Sequence, residues 1–324
     1  MDIGLLIEES GAISHLQVGN NDEGIIEMLN WLQSHQDFAI KDALFCMEHT
    51  GIYNYPLLQF INHHSAMVWV ENPIQIKKSM GLQRGKNDKV DSIRIAQYAY
   101  QAKEKVKLWQ PARKVVDRLK YLTNLRERLL ETKKRLQTPV EELMKIGNKD
   151  MANLLKKSMS KTIKGLEKDL QSIEAQMKDV IEGDDELKKL FNLVTSVVGI
   201  GFVTAINLII CTNEFTSFNN YRQLACYSGV APFEHRSGIS VRGRTKVSHM
   251  ANKKIKRYLH MASLSSVKLD TELKACYERK VLSGKSKMSV LNAVRNKLLA
   301  RVFAVVKRGI PYQKNNYKNQ LVLS

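Results

Sequence analysis

Cysteine is scarce in this chain: Cys46, Cys211, Cys226 and Cys276 stand far apart among 324 residues, with no close pair and no neighbouring histidine. That spacing excludes a zinc ribbon or a disulfide scaffold, and leaves buried thiols in a reducing compartment as the simplest reading. No apolar run approaches the roughly 18 to 20 residues that a membrane span requires. The basic-then-apolar layout of a signal peptide is missing at the N-terminus, so a soluble, cytoplasmic protein is expected. Internal repeats and low-complexity tracts are missing too. With 44% hydrophobic residues the chain can bury a real core, and its length makes two domains a fair prior.

Acidic residues run short in one half only. Residues 1–110 hold 10 Lys and Arg against 13 Asp and Glu, net −3, while the remainder holds 41 against 19, net +22. Residues 231–324 alone carry 21 basic and 4 acidic side chains. Such a density attracts a condensed polyanion and releases its counterions, so nucleic acid is the leading partner; a basic, solvated surface without a specific ligand is the alternative.

Three zones follow along the chain. Up to residue 110, "DIGLLIEE", "AISHLQV", "ALFCME" and "AMVWVE" read as strands interleaved with the amphipathic "EGIIEMLNWLQSH" and "YPLLQFINHH", an α/β order. Residues 111–184 form a charged helical arm. There Met159, Ile163, Leu166, Leu170, Ile173, Met177 and Val180 recur at the spacings of a coiled-coil seam, with Pro139 and "IGNKD" expected to separate two helices. From 185 to 324 the chain reads as mainly helical and basic, with loops around "VVGIGF" and "SGISVRGRT". Gly199 and Gly201 bracket a tight, helix-hairpin-helix-like turn whose backbone N–H groups could meet a DNA phosphate; packing is the competing role.

Two constellations carry chemistry. In "GKNDKVDSIRIAQYA", Asp88 and Asp91 lie on one face at the opening of a helix, which costs repulsion unless something positive sits between them. A divalent cation would serve, although acidic residues also favour the dipole of a solvated first turn. Glu48, ending the strand of "FCMEHTGIY", adds a third hard oxygen donor where α/β sheets present functional groups, and the set suits Mg²⁺ or Mn²⁺ on a phosphodiester. The second is "FEHRSGISVRGRTKVSHMANKKIKRYL". Its flexible loop, from Ser237 and Gly238 through Ser240, Arg242, Arg244 and Lys246, precedes a basic helix with Lys253, Lys254, Lys256 and Arg257. Arginine forks match phosphate geometry. A serine among them could attack phosphorus, yet spacing assigns it no base, so phosphate contact alone is the other reading.

Taken in order, "MEHTGIYNYPL", "VWVENPIQIKKSMGLQRGKNDKVDSIRIAQYA", "VVGIGFVTAINL", "FNNYRQLACYSGVAPFEHRSGISVRG" and "NKKIKRYLHMAS" resemble the DEDD-type bacterial insertion-sequence transposases, relatives of the Piv-type DNA invertases. The resemblance spans nearly the whole chain. It implies a RuvC-like, RNase H-fold N-terminal domain, a coiled-coil arm, and a helical C-terminal domain bearing a serine nucleophile. Glu48, Asp88 and Asp91 match the last three metal-binding carboxylates, and Ser237 matches the nucleophile, with Ser240 as fallback. The two domains are expected to act on one phosphate. It further implies an element-encoded guide RNA, DNA ends and target as partners, and a homo-oligomer, dimer or tetramer, at the nucleoid.

One departure stands out. The family opens on a strand bearing its first carboxylate, whereas here Met1-Asp2 falls on the place of a later Leu-Asp pair, so that central strand is expected to be absent. Asp2 occupies the place of a different aspartate and is a weak substitute. Two other functions compete: a metal-dependent nuclease of the Holliday-junction-resolvase type, in which water attacks and Ser237 only binds, and a truncated DNA-binding remnant that does not cut.

Overall fold

A computed structural model describes residues 1–35, 38–79, 87–237, 241–247 and 251–313, with the side chains of Ile52 and of residues 234–246 outside that description. The chain divides into two compact units, Met1–Pro111 and Ala112–Ser324.

In the first unit, β1 (Asp2–Leu6) and β2 (Ile13–Gln17) pair antiparallel, followed by α1 (Asp22–Gln33). Next, β3 (Leu44–Glu48), α2 (Tyr55–His63) and β4 (Met67–Glu71) make a right-sized crossover, and β3 and β4 pair in parallel. Two further helices, α3 (Pro73–Ser79) and α4 (Asp88–Gln101), complete the unit. Alternation of apolar residues builds three layers. Ile3, Leu5, Leu16 and Phe45 pack with α1 and α2, while Leu44, Cys46 and Trp69 pack with Tyr98 and Ala99 of α4.

The strands nevertheless remain two separate two-stranded sheets. Among the described residues, β1 and β3 each leave one edge without a hydrogen-bonded neighbour, although α4 packs against both. Their side chains are half-buried throughout, whereas Val68 and Trp69 of β4 are buried.

Gly4 sets how closely α4 can approach. A Cβ there would lie 2.7 Å from the backbone carbon and oxygen of Ser92 and 2.8 Å from Cα of Ile93. Because those are backbone atoms, relief requires moving the helix. Gly4→Ala should therefore cost roughly 1–3 kcal/mol and displace the first turn of α4. A chemical-denaturation midpoint equal to that of the parent would refute this contact.

The second unit opens on the arm, α5 (Lys114–Lys145) and α6 (Lys149–Glu182), packed along each other. Pro139 lies inside α5, contrary to the expected break. The chain reverses within the expected "IGNKD", at Ile146–Asn148, where Gly147 adopts φ +82°, a left-handed conformation that glycine tolerates. Of the seam, Leu170, Ile173, Met177 and Val180 are buried within the chain itself. Beyond the arm come α7 (Asp185–Thr195), α8 (Phe202–Cys211), α9 (Tyr221–Tyr227), β5 (Pro232–Ser237), β6 (Val241–Val247), α10 (Lys253–Leu269), α11 (Thr271–Leu282) and α12 (Lys287–Arg308). One apolar core joins α5 and α6 to α7, α8, α10 and α12, with Leu119, Met177, Leu208, Leu259 and Leu298 fully buried. The expected loop at "SGISVRGRT" is in fact largely strand. Val241, Thr245 and Val247 alternate as β-branched residues, and Pro232 takes the first strand position, where its missing N–H does least harm.

Candidate active site

Glu48 closes β3, and the turn beyond it is tightly specified. Asn54 donates from Nδ2 to the Glu48 carbonyl at 2.8 Å, and its Oδ1 accepts the Thr50 N–H at 2.7 Å and the Thr50 hydroxyl. Parallel register sets Glu48 beside Glu71, the last residue of β4. The Tyr98 hydroxyl of α4 donates to Glu71 Oε2 at 3.2 Å. Burial, and then the charges of Glu71 and Glu48, push the Cys46 thiol up to about 12. The Tyr98 phenol rises to about 12 through burial first and Glu71 second. Neither group is an acid or nucleophile near neutral pH. Glu71 escaped the sequence reading, although "VWVE" ends a strand on a carboxylate just as "FCME" does.

Asp88 and Asp91 occupy the first turn of α4, whose N-cap Asn87 accepts the Lys89 N–H at 2.9 Å. The repulsion between them is relieved locally, since Arg94 Nη1 sits 2.9 Å from Asp91 Oδ1. Asp2 is engaged across the hairpin, accepting from Gln17 Nε2 at 3.4 Å and lying 2.9 Å from His15 Nε2. Among the described residues, no three His, Cys, Asp or Glu side chains form a group that could hold a metal ion. Among the described residues Glu48, Asp88 and Asp91 are therefore not gathered into one such group.

Ser237 ends β5 at the tip of the antiparallel hairpin, opposite Val241, with Arg236 opposite Arg242 and His235 opposite Gly243 in register. The fallback Ser240, and Gly238 before it, lie outside the described residues, as do the side chains of Ser237, Arg242, Arg244 and Lys246.

The two glycines of "VVGIGF" have different reasons. Gly199 adopts φ +95°, and a Cβ there would lie 2.0 Å from Ser266 Oγ and 2.8 Å from the Ala262 carbonyl, so it lets the turn press against α10. Gly201 caps α8 in open space. The basic helix α10 divides by face. Toward α5, Glu127 takes Lys254 at 2.8 Å and the Tyr258 hydroxyl, with Arg257 4.0 Å away. Lys253 and Lys256 have no acidic partner among the described residues.

Residues 3–148 match the DEDD transposase domain of the IS110 type, and residues 191–278 match the transposase domain of the IS116/IS110/IS902 family. The two matches follow one another in the order of the two units. The chain belongs to the DEDD-type insertion-sequence transposases. This transposase is 29% identical over 301 residues to the pilin gene-inverting protein of Moraxella lacunata, covering 91% of the chain and 89% of that protein. The counterpart in Moraxella bovis is equally similar. An insertion element IS110 protein of Streptomyces coelicolor is 25% identical over 156 residues, 48% of the transposase and 37% of that protein. The transposase is thus an enzyme of the DNA transposase and recombinase class, acting on DNA, in a family that generally depends on divalent metal. No helix among its described residues is long and apolar enough to cross a membrane.

Proposed function

We propose that this transposase cuts and rejoins the ends of an insertion element through Ser237. The serine oxygen attacks phosphorus, a phosphoserine bond forms, and one DNA strand leaves as a free hydroxyl end. Exchanging one phosphate ester for another conserves bond energy, so rejoining requires no nucleotide cofactor. The observation that carries this reading is the β5–β6 hairpin, whose register sets Ser237 at the tip between arginine positions, in a unit of strongly positive charge. Arg242, Arg244 and Lys246 are the proposed phosphate contacts of the hairpin, with Lys253 and Lys256 extending them along α10 and the Gly201 turn offering backbone N–H groups.

The N-terminal unit belongs to the same proposal as a RuvC-like, RNase H-type fold, with Glu48, Asp88 and Asp91 as its catalytic carboxylates and Glu71 paired beside Glu48. Three layers and strand-end carboxylates support this. An element-encoded guide RNA and a dimeric or tetrameric assembly complete the reading; the excess of positive charge supports either polyanion. Asp91→Asn should lower DNA cleavage on the order of a hundredfold or more while leaving DNA affinity nearly intact. Cleavage at the parental rate in a folded Asp91→Asn protein would remove the carboxylates from the mechanism.

A further inference from the structure

Arg295 of α12 is only 4% exposed, yet no carboxylate meets it among the described residues. Its Nη2 donates to Nδ1 of His260 at 2.7 Å, its Nη1 reaches Asn292 Oδ1 at 3.4 Å, and its Nε is buried without a partner. A desolvated guanidinium without a counter-ion is costly, and burial lowers its proton affinity accordingly.

The contact with His260 determines more than packing. A guanidinium only donates, so Nδ1 must accept, and the neutral ring carries its proton on Nε2. Among the described residues that atom has no hydrogen-bond partner and is not among the buried unpartnered atoms, and the His260 side chain is only half-buried. Lys256 lies one turn earlier on α10, and Lys253 about one turn before that. Burial and then Arg295 lower the proton affinity of both Lys256 and His260. The opposite face of α10 is neutralised by Glu127; among the described residues this face has cations and no acid.

We propose that Lys256 and His260 form a binding site for a backbone phosphodiester of nucleic acid, with Arg295 as the positioning residue behind them. The Lys256 ammonium and the His260 Nε2–H touch the phosphate oxygens. Arg295 fixes the ring tautomer and contributes charge through it. The anion chemistry stands on these contacts alone; its assignment to a polymer rests on the reading of the C-terminal unit as DNA-handling.

The test uses the full-length protein with isotope-labelled histidine, the His260 signal being assigned by its loss in His260→Asn. Inorganic phosphate should shift the His260 ring resonances saturably while Nε2 stays protonated, and a short DNA duplex should produce the same shift. Lys256→Gln should abolish the phosphate response, lower duplex affinity about tenfold, and reduce the slope of log affinity against log salt by about one. Arg295→Gln should give mixed tautomers in the free protein, and where it unfolds, the exposed-side variants Lys256→Gln and His260→Asn still decide. An unchanged phosphate response and an unchanged salt slope in folded Lys256→Gln would overturn the site. A response to phosphate but not to duplex would overturn the polymer assignment, whatever the enzyme does elsewhere to DNA.

Discussion

Ser237→Ala should eliminate the covalent protein–DNA adduct and lower strand rejoining by at least about a thousandfold, since removing a nucleophile removes the pathway and not merely one contact. The readout is a labelled DNA substrate incubated with protein, denatured, and run for a band that survives detergent and disappears on protease treatment. Ser240→Ala should keep part of both activities. Water as nucleophile predicts the opposite pattern: free ends, no adduct in the parent, and cutting retained in Ser237→Ala. That result would replace serine chemistry with nuclease chemistry in this transposase. A parent that binds duplex but yields neither adduct nor free ends would instead match a DNA-binding remnant.

The largest stability effect is expected far from the hairpin. Asp270, at the corner of α10 and α11, is 3% exposed, caps the Leu273 N–H through Oδ1 at 2.9 Å, and accepts Arg301 Nη1 of α12 at 2.8 Å. Arg301 also reaches Glu272 at 2.6 Å and lies over the Tyr312 ring at 4.8 Å. Asp270→Ala loses the helix cap and leaves the largely buried Arg301 guanidinium with only the exposed Glu272 as carboxylate partner, which should cost about 2–4 kcal/mol. A thermal shift of only a degree or two would sink this account. Burial raises the Asp270 pKa, but the Leu273 N–H and Arg301 outweigh it and hold the carboxyl below its ordinary value. Because the folded-state value is the lower one, the contribution is fully present above the unfolded carboxyl pKa of about 3.9. It is lost as pH falls through the folded-state value. Parent and Asp270→Ala stability curves should therefore converge on acidification below about pH 4 and stay apart near neutrality.

Much of the architecture was legible in local pattern. Short apolar runs located β1 to β4, and period-3.6 stripes located α1, α2 and the arm, because these elements bury apolar side chains. The arm's corner fell in "IGNKD" as expected, but Pro139 takes no part in it, since proline's cost in a helix interior can be absorbed by a helix as long as α5. The hairpin was read as a loop because glycine and arginine outweighed the β-branched alternation of Val241, Thr245 and Val247. Glu71 was passed over because strand pairing, which brings it beside Glu48, joins residues 23 positions apart.

By itself, the sequence determined the family, through motifs whose order and spacing no single element carries, and the placement of positive charge beyond residue 110. Only the tertiary structure decided which charges are free to act. On α10, Glu127 occupies Lys254 while His260 meets the buried Arg295 and Lys256 has no acidic partner among the described residues. In the first unit, Arg94 occupies Asp91, and among the described residues β1 and β3 each keep an edge without a strand neighbour. The physical reason is that a charge's availability depends on neighbours brought in from distant parts of the chain, at distances of 3–4 Å that sequence spacing does not encode.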